Sequence, residues 1–194
     1  MTTPLHIPHE TAAQSLIHTC WPADGDLWED NLDPARAEFA SFVSHLVRGG
    51  QAVTVHAANE ETARDVRARL GATVDIVRNP YGDVWVRDTG PVFAVSNGQL
   101  KAVRFRFNGW GGKYELDGDQ QIGLAVAALA GATLKEIDLV CEGGALEFDG
   151  EGTLLTTRQC LLNANRNPGL SEAQVEDRLK EALGISTVIW LDEG

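Results

Sequence analysis

Three stretches of this sequence follow one order: apolar helix, glycine, strand. They read ARLGATVDIV, ALAGATLKEIDLV and EALGISTVIWL, with stop glycines at Gly71, Gly131 and Gly184, 60 and 53 residues apart. A period of that size suggests a propeller or stacked array, in which equivalent positions face a common axis. The last two stretches sit in similar units of hairpin, helix and strand. One hairpin pairs residues 92–95 with 102–107 around Asn97-Gly98; the other pairs 145–148 with 153–157 around Asp149-Gly150-Glu151-Gly152. Asn-Gly is a strong hairpin signal, because both turn positions need positive φ. The three strands lead to Asp83 and Asp88, to Glu142, and to Asp192 and Glu193. A true symmetry gathers those carboxylates around one centre, a cation site by geometry. Chance similarity between amphipathic α/β units gives the same pattern, and at this point both readings stand.

The remaining elements follow from periodicity and punctuation. Asp33-Pro34 predicts a helix start, with Phe39, Phe42, Val43, Leu46 and Val47 on one face before Gly49-Gly50. A strand is expected over 52–57. A second helix is expected from Asn59, with Ala63, Val66 and Leu70 inward. Ile122, Ala125, Val126 and Leu129 mark another helical face, and Ser171 with Gln174 forms a capping box ahead of Val175, Leu179 and Ala182.

Between the strand at 73–77 and the apolar run 92–95 lies NPYGDVWVRDTGP, residues 79–91. Pro80 and Pro91 break any ladder, so irregular backbone is expected between rigid elements, where binding chemistry tends to sit. Asp83 and Asp88 supply carboxylates and Trp85 a flat apolar face. Those groups suit a planar cation such as a guanidinium. A solvated turn, with Arg87 paired to a neighbouring aspartate, fits equally well. Glu142, just before Gly143-Gly144, can sit beside backbone that approaches a ligand closely, or the glycines can simply open a hairpin. Arg104 and Arg106 share one strand face and are candidates for holding a substrate carboxylate, or plain surface residues.

Charge and composition exclude several classes. A formal net charge of −12 with no basic run argues against nucleic acid and anionic membranes as partners. No signal peptide opens the chain, and no apolar run reaches membrane-spanning length. Cys20, Cys141 and Cys160 are widely spaced, which speaks for a reducing compartment, by default the cytoplasm, and for small buried hydrophobes. All five histidines precede residue 79, so neither a metal site nor a cysteine–histidine pair can be assembled from local sequence. The glycines of NGWGG are wrongly spaced for a phosphate loop or dinucleotide fingerprint.

NPYGDVWVRDTGP, RFRFNGWGGKY and CEGGALEFDGEGTLLTTRQCLLNANRNPGLS, taken in this order, closely resemble the agmatine deiminase and bacterial peptidyl-arginine deiminase family. The resemblance runs from His9-Glu10 to Trp190-Leu191. It implies the pentein fold, a five-bladed α/β propeller of ββαβ units with the active site on its axis. Residues 1–194 then form a single domain, the N-terminal portion of such a propeller, an incomplete ring of about three units. The implied reaction is hydrolysis of a guanidinium group to a ureido product and ammonia, by a cysteine thiolate with a histidine as proton shuttle and no cofactor or metal. By motif match Asp88 is one carboxylate on the guanidinium nitrogens, Glu142 is associated with the histidine and the substrate, and Trp85 lines the pocket.

The family's Gly-His-x-Asp motif and late cysteine fall beyond residue 194. The chain is thus expected to be the front of a longer protein and inactive alone. Glu147 stands where many agmatine-type members carry histidine, and Arg104 and Arg106 suit a substrate with a carboxylate. Agmatine, free arginine and C-terminal peptidyl arginine all remain as small cationic guanidinium partners. So does a non-catalytic guanidinium-binding module, and a homo-oligomer is left open.

Overall fold

The computed structural model describes residues 5–194, a mixed α/β chain that divides into two compact units. One unit comprises residues 13–86 and 116–122. Its sheet holds β1 (Ile17–Cys20), β2 (Val53–Ala57) and β3 (Asp75–Arg78), all parallel and in that order. Helices Leu32–Arg48 and Glu60–Leu70 connect them. All five residues of β2 are buried, including Thr54 and His56, so no in–out alternation is present there. A central strand of a parallel sheet is covered on both faces. The core gathers Trp21, Val43, Val53, Val55, Val66 and Leu70.

Asn59 caps the second helix through a bond from the Thr62 N–H (2.9 Å), and Gly71 ends it at φ +64°. The first helix departs from expectation. It begins at Leu32, because a turn at Gly25–Trp28 and a 3-10 turn at Glu29–Asn31 feed into it, and no side chain caps it. Asp33 therefore sits inside the first turn, where it pairs with Arg69.

The other unit comprises residues 5–12, 87–115 and 123–194. Here β4 (Val92–Ser96) and β5 (Gln99–Arg106) form an antiparallel hairpin, and β6 (Thr133–Val140) joins β5 in parallel. The same order recurs with β7 (Glu147–Phe148), β8 (Thr153–Thr157) and β9 (Thr187–Leu191). This is the ββαβ repetition that the glycine spacing suggested. Asn97 (φ 52°) and Gly98 (φ 69°) make the first hairpin turn. In the second, Asp149 Oδ1 accepts from the backbone N–H groups of Glu151 and Thr153. The three sheets are separate, and none closes on itself.

Helix Glu172–Leu183 carries the full capping box and buries Val175, Leu179, Ala182 and Leu183 before Gly184 turns left-handed. Leu179 is fully buried, so truncation to alanine should cost about 3 kcal/mol. Helix Asp119–Leu129 turns Ile122 and Val126 inward as expected, but its inner face is shifted from Leu129 toward Ala127. Ile122, Val126 and Ala127 are buried, whereas Leu129 is about half exposed. Gly123 sets that rotation: a Cβ there would lie 2.7 Å from the Thr89 carbonyl oxygen, so only a bare α-carbon lets this face approach.

Candidate active site

Strand β6 ends in a register shift opposite Phe105/Arg106, and the Cys141 N–H still reaches the Arg106 carbonyl at 3.0 Å. Such irregularities re-aim the residues that follow. Next comes Glu142, only 4% exposed, and then a 3-10 turn at Gly143–Ala145. The two glycines do more than open a hairpin. A Cβ on Gly143 would lie 2.3 Å from the Arg87 carbonyl oxygen, and one on Gly144 would lie 2.2 Å from Asp88 Oδ1. Their absence lets the helical turn that carries Asp88 close against this backbone.

Asp88 is held from two sides. The Gly144 N–H donates to Oδ1 at 3.0 Å and the Trp110 indole N–H donates to Oδ2 at 2.9 Å. Trp110 itself sits at φ 55°, ψ 43°, the left-handed region that a bulky residue avoids at a cost of about 1–2 kcal/mol. Several contacts enforce it. The Asn108 side chain accepts from the Gly111 N–H (2.9 Å), and Phe107 meets the indole edge to face with centroids 4.8 Å apart. Gly109 has φ 66° and no room for a Cβ, which would fall 1.9 Å from the Tyr114 carbonyl oxygen. The glycine-rich segment is thus a mount for one tryptophan.

Glu142 has a partner of its own. Arg166 Nε and Nη2 both reach Oε1 at 2.7 Å, and the two side chains are 10% and 5% exposed. A carboxylate buried that deeply loses several kcal/mol of hydration unless it is paired, and the guanidinium supplies the pair. Its other oxygen, Oε2, lies 3.6 Å from Cys160 Sγ. Burial, and then Glu142, push the Cys160 thiol up to about 11, so it is protonated at neutral pH. Burial also holds the Cys141 thiol well above its ordinary value; it donates to the Glu142 carbonyl at 3.3 Å.

Asp88, Trp110, Glu142, Glu147, Cys160 and Arg166 line one cavity of about 400 Å³, with Leu155 and Leu191 on its apolar side. Cys160, expected in the core, is thus on the wall, while Cys141 is buried in the core as expected. Trp110 and Arg166 were not expected at the site, and Glu147 was marked only as a departure from the family's pattern. A tryptophan flanked by glycines on both sides is the one local signal that marks Trp110.

The other expected residues lie elsewhere. Arg104 and Arg106 pair across the β5–β6 ladder with Glu136 (2.7 Å) and Asp138 (2.9 Å), and neither lines the cavity. Arg87 pairs with Glu10 (2.6 Å), not with an aspartate. Asp192 is taken by Arg158 at 3.0 Å. Asp83 and Trp85 belong to the first unit. There Asp83 accepts from the Trp28 indole N–H at 3.0 Å, and Trp85 is about half exposed. The arrangement in the second unit is chemically specific: two oriented carboxylates beside an aromatic ring, open to a cavity on one side. Paired carboxylates of this kind bind a planar cation through charge-assisted hydrogen bonds.

Comparison with known proteins gives the class first. The fold matches that of the E. faecalis protein described as agmatine deiminase catalysing its reaction (TM-score 0.92, 29% identity, 100% of this chain and 56% of that one). It also matches a Cys-to-Ser variant of C. jejuni agmatine deiminase with substrate bound (TM-score 0.88, 31% identity, 98% and 56%). The profile of Porphyromonas-type peptidyl-arginine deiminases matches residues 6–194, and the chain belongs to that family. Agmatine deiminases of Ectopseudomonas mendocina and Stutzerimonas stutzeri are 40% and 38% identical over 100% and 97% of the chain. The chain spans about half the length of these curated relatives, 55% and 53%.

Proposed function

We propose that this cavity holds the guanidinium head of a small cationic substrate for deimination, with agmatine, giving N-carbamoylputrescine and ammonia, as the leading substrate. One observation carries the reading: the carboxylates of Asp88 and Glu142 line the same cavity, each fixed by donors from its own protein neighbours. Agmatine deiminases among the relatives support the reaction class. In the proposed reaction a thiolate attacks the guanidinium carbon and ammonia departs with a proton. Water then attacks the resulting thiouronium carbon, which releases the thiolate and leaves the ureido product. The thiolate is assigned to sequence beyond residue 194, since burial keeps Cys141 and Cys160 protonated. On this reading the ββαβ units belong to a five-bladed propeller, and the protein works in the cytoplasm. No helix among the described residues is long and apolar enough to cross a membrane.

The cavity's charges favour agmatine over arginine. Its carboxylates are Asp88, Glu142 and Glu147, and its arginine is already committed to Glu142. Arg104 and Arg106 are engaged with Glu136 and Asp138. A tail carboxylate would therefore meet like charge, whereas a tail ammonium meets Glu147. The test is ammonia release from agmatine, arginine and a peptide ending in arginine by the complete gene product. Release from agmatine well above the other two is expected, and release from none overturns the enzyme in favour of a guanidinium-binding module.

A further inference from the structure

Arg166 lines the cavity, and each of its three guanidinium nitrogens has a partner within the protein. Nε and Nη2 converge on Glu142 Oε1, both at 2.7 Å, and Nη1 donates to Asn165 Oδ1 at 2.8 Å. Asn165 is tied in turn, its carbonyl accepting from the Asn108 side chain at 2.8 Å. Gly111 makes room for this group. A Cβ there would sit 2.0 Å from Arg166 Nη1 and 2.3 Å from Asn165 Nδ2. The segment that mounts Trp110 over Asp88 therefore also seats the arginine that holds Glu142.

We infer that Arg166 is a positioning residue: by saturating Oε1 it leaves Oε2 as the one Glu142 oxygen offered to a ligand, at a fixed angle beside Cys160. This rests on the reading that Glu142 holds a guanidinium. Without Arg166 the carboxylate can rotate, and its two oxygens become equivalent acceptors. Ligand affinity then falls, because the carboxylate must be ordered at the moment of binding. A merely structural arginine would support the fold without regard to Glu142. A ligand-binding arginine would act independently of Glu142. The positioning role alone makes its effect run through Glu142.

A double-mutant cycle separates the three, with agmatine as the probe and calorimetry on the 194-residue chain as the measurement. Arg166→Gln should weaken agmatine binding about tenfold or more when Glu142 is present, as expected for loss of a charge-assisted pair, and less than about twofold in the Glu142→Gln background. Arg166→Lys, which keeps the charge but not the fork, should fall between. Equal losses in both backgrounds, or no loss in either, overturn the inference. Should Arg166→Gln not fold, Arg166→Lys is compared in the two backgrounds by the same criterion. If the wild-type chain binds no agmatine, this inference fails, whereas the functional reading is decided by ammonia release from the complete gene product.

Discussion

Two buried polar clusters in this protein solve opposite problems. In the parallel sheet, His56 is completely buried between His18 (Nδ1···Nε2, 3.1 Å) and the Asn79 side-chain amide (2.7 Å). With the Asn79 amide donating to Nδ1, His56 carries its proton on Nε2 and donates to His18. Both of its ring nitrogens have protein partners, and the cluster is neutral. In the ββαβ unit, Asp88, Glu142 and Arg166 are charged, and each carboxylate keeps lone-pair capacity on the cavity side. Polarity that serves folding is closed on itself. On the proposed reading, polarity that serves binding is braced from behind and left open in front.

The most severe way to break the contrast is to neutralise the open cluster. Asp88→Asn removes a charge and also turns an amide NH₂ toward one of two donors, Gly144 N–H or Trp110 Nε1–H. Deimination by the complete gene product should fall about a hundredfold or more, the scale of one lost partner in a desolvated charge pair. Undiminished ammonia release from agmatine would mean that Asp88 is braced for the fold alone.

The closed cluster is tested by acid. Burial, and then His18, hold His56 down to about 4, against an ordinary value of 6.5. Between those limits the unfolded chain binds the extra proton, so stability is present above about pH 6.5 and is lost as pH falls toward 4. The full loss is about 3 kcal/mol. Asp119 carries the opposite sign. Burial pushes its carboxyl up to about 6, so the folded state gains stability as pH falls from there toward the ordinary carboxylate range. Wild-type melting therefore shows only the remainder, and Asp119→Asn should uncover a steeper acid loss. Equal slopes would show that Asp119 offsets nothing, and no acid loss in Asp119→Asn would show that the histidine cluster is not buried neutral.

Much of the architecture was legible because it is local. The Asn97-Gly98 turn, the Ser171–Gln174 capping box and the stop glycines all act within a few residues, and all appear as expected. Asp88 was legible as a carboxylate in the loop between two strands, and Glu142 as one following a strand. What holds them was not. Arg166 finds Glu142 from 24 residues away, and Trp110 finds Asp88 from 22. The glycines that permit both contacts matter for the Cβ they lack, which becomes visible only when the opposing atoms are placed. In helix Asp119–Leu129, Leu129 was misplaced for a related reason: periodicity set it inward with Ile122 and Val126, while close approach selected the side of Gly123.

A smaller effect refines the open cluster. Glu147 lies opposite Leu155 in the β7–β8 ladder, on the cavity wall. Glu147→Gln should reduce the preference for agmatine over an alkylguanidine with a neutral tail by roughly fivefold, with the neutral substrate little affected, since an exposed carboxylate attracts a tail cation only modestly. Equal effects on both substrates would remove Glu147 from tail recognition and return arginine-type substrates to consideration.

The smallest change expected is at Cys141, where the two kinds of cluster meet along the chain. Its thiol neighbours Glu142 in sequence, yet it is 2% exposed and packs in the core with Leu139, Leu146 and Leu154. Burial raises its ionisation far above neutral pH, and its proton is given to the Glu142 carbonyl. It therefore belongs with the closed polarity. Serine preserves the donor and the approximate volume, so Cys141→Ser should leave agmatine turnover unchanged and lower stability by about 1 kcal/mol through lost apolar burial. Turnover that collapses while the melting temperature holds would move this thiol into the chemistry, and the line between closed and open polarity would have to be redrawn one residue earlier along β6.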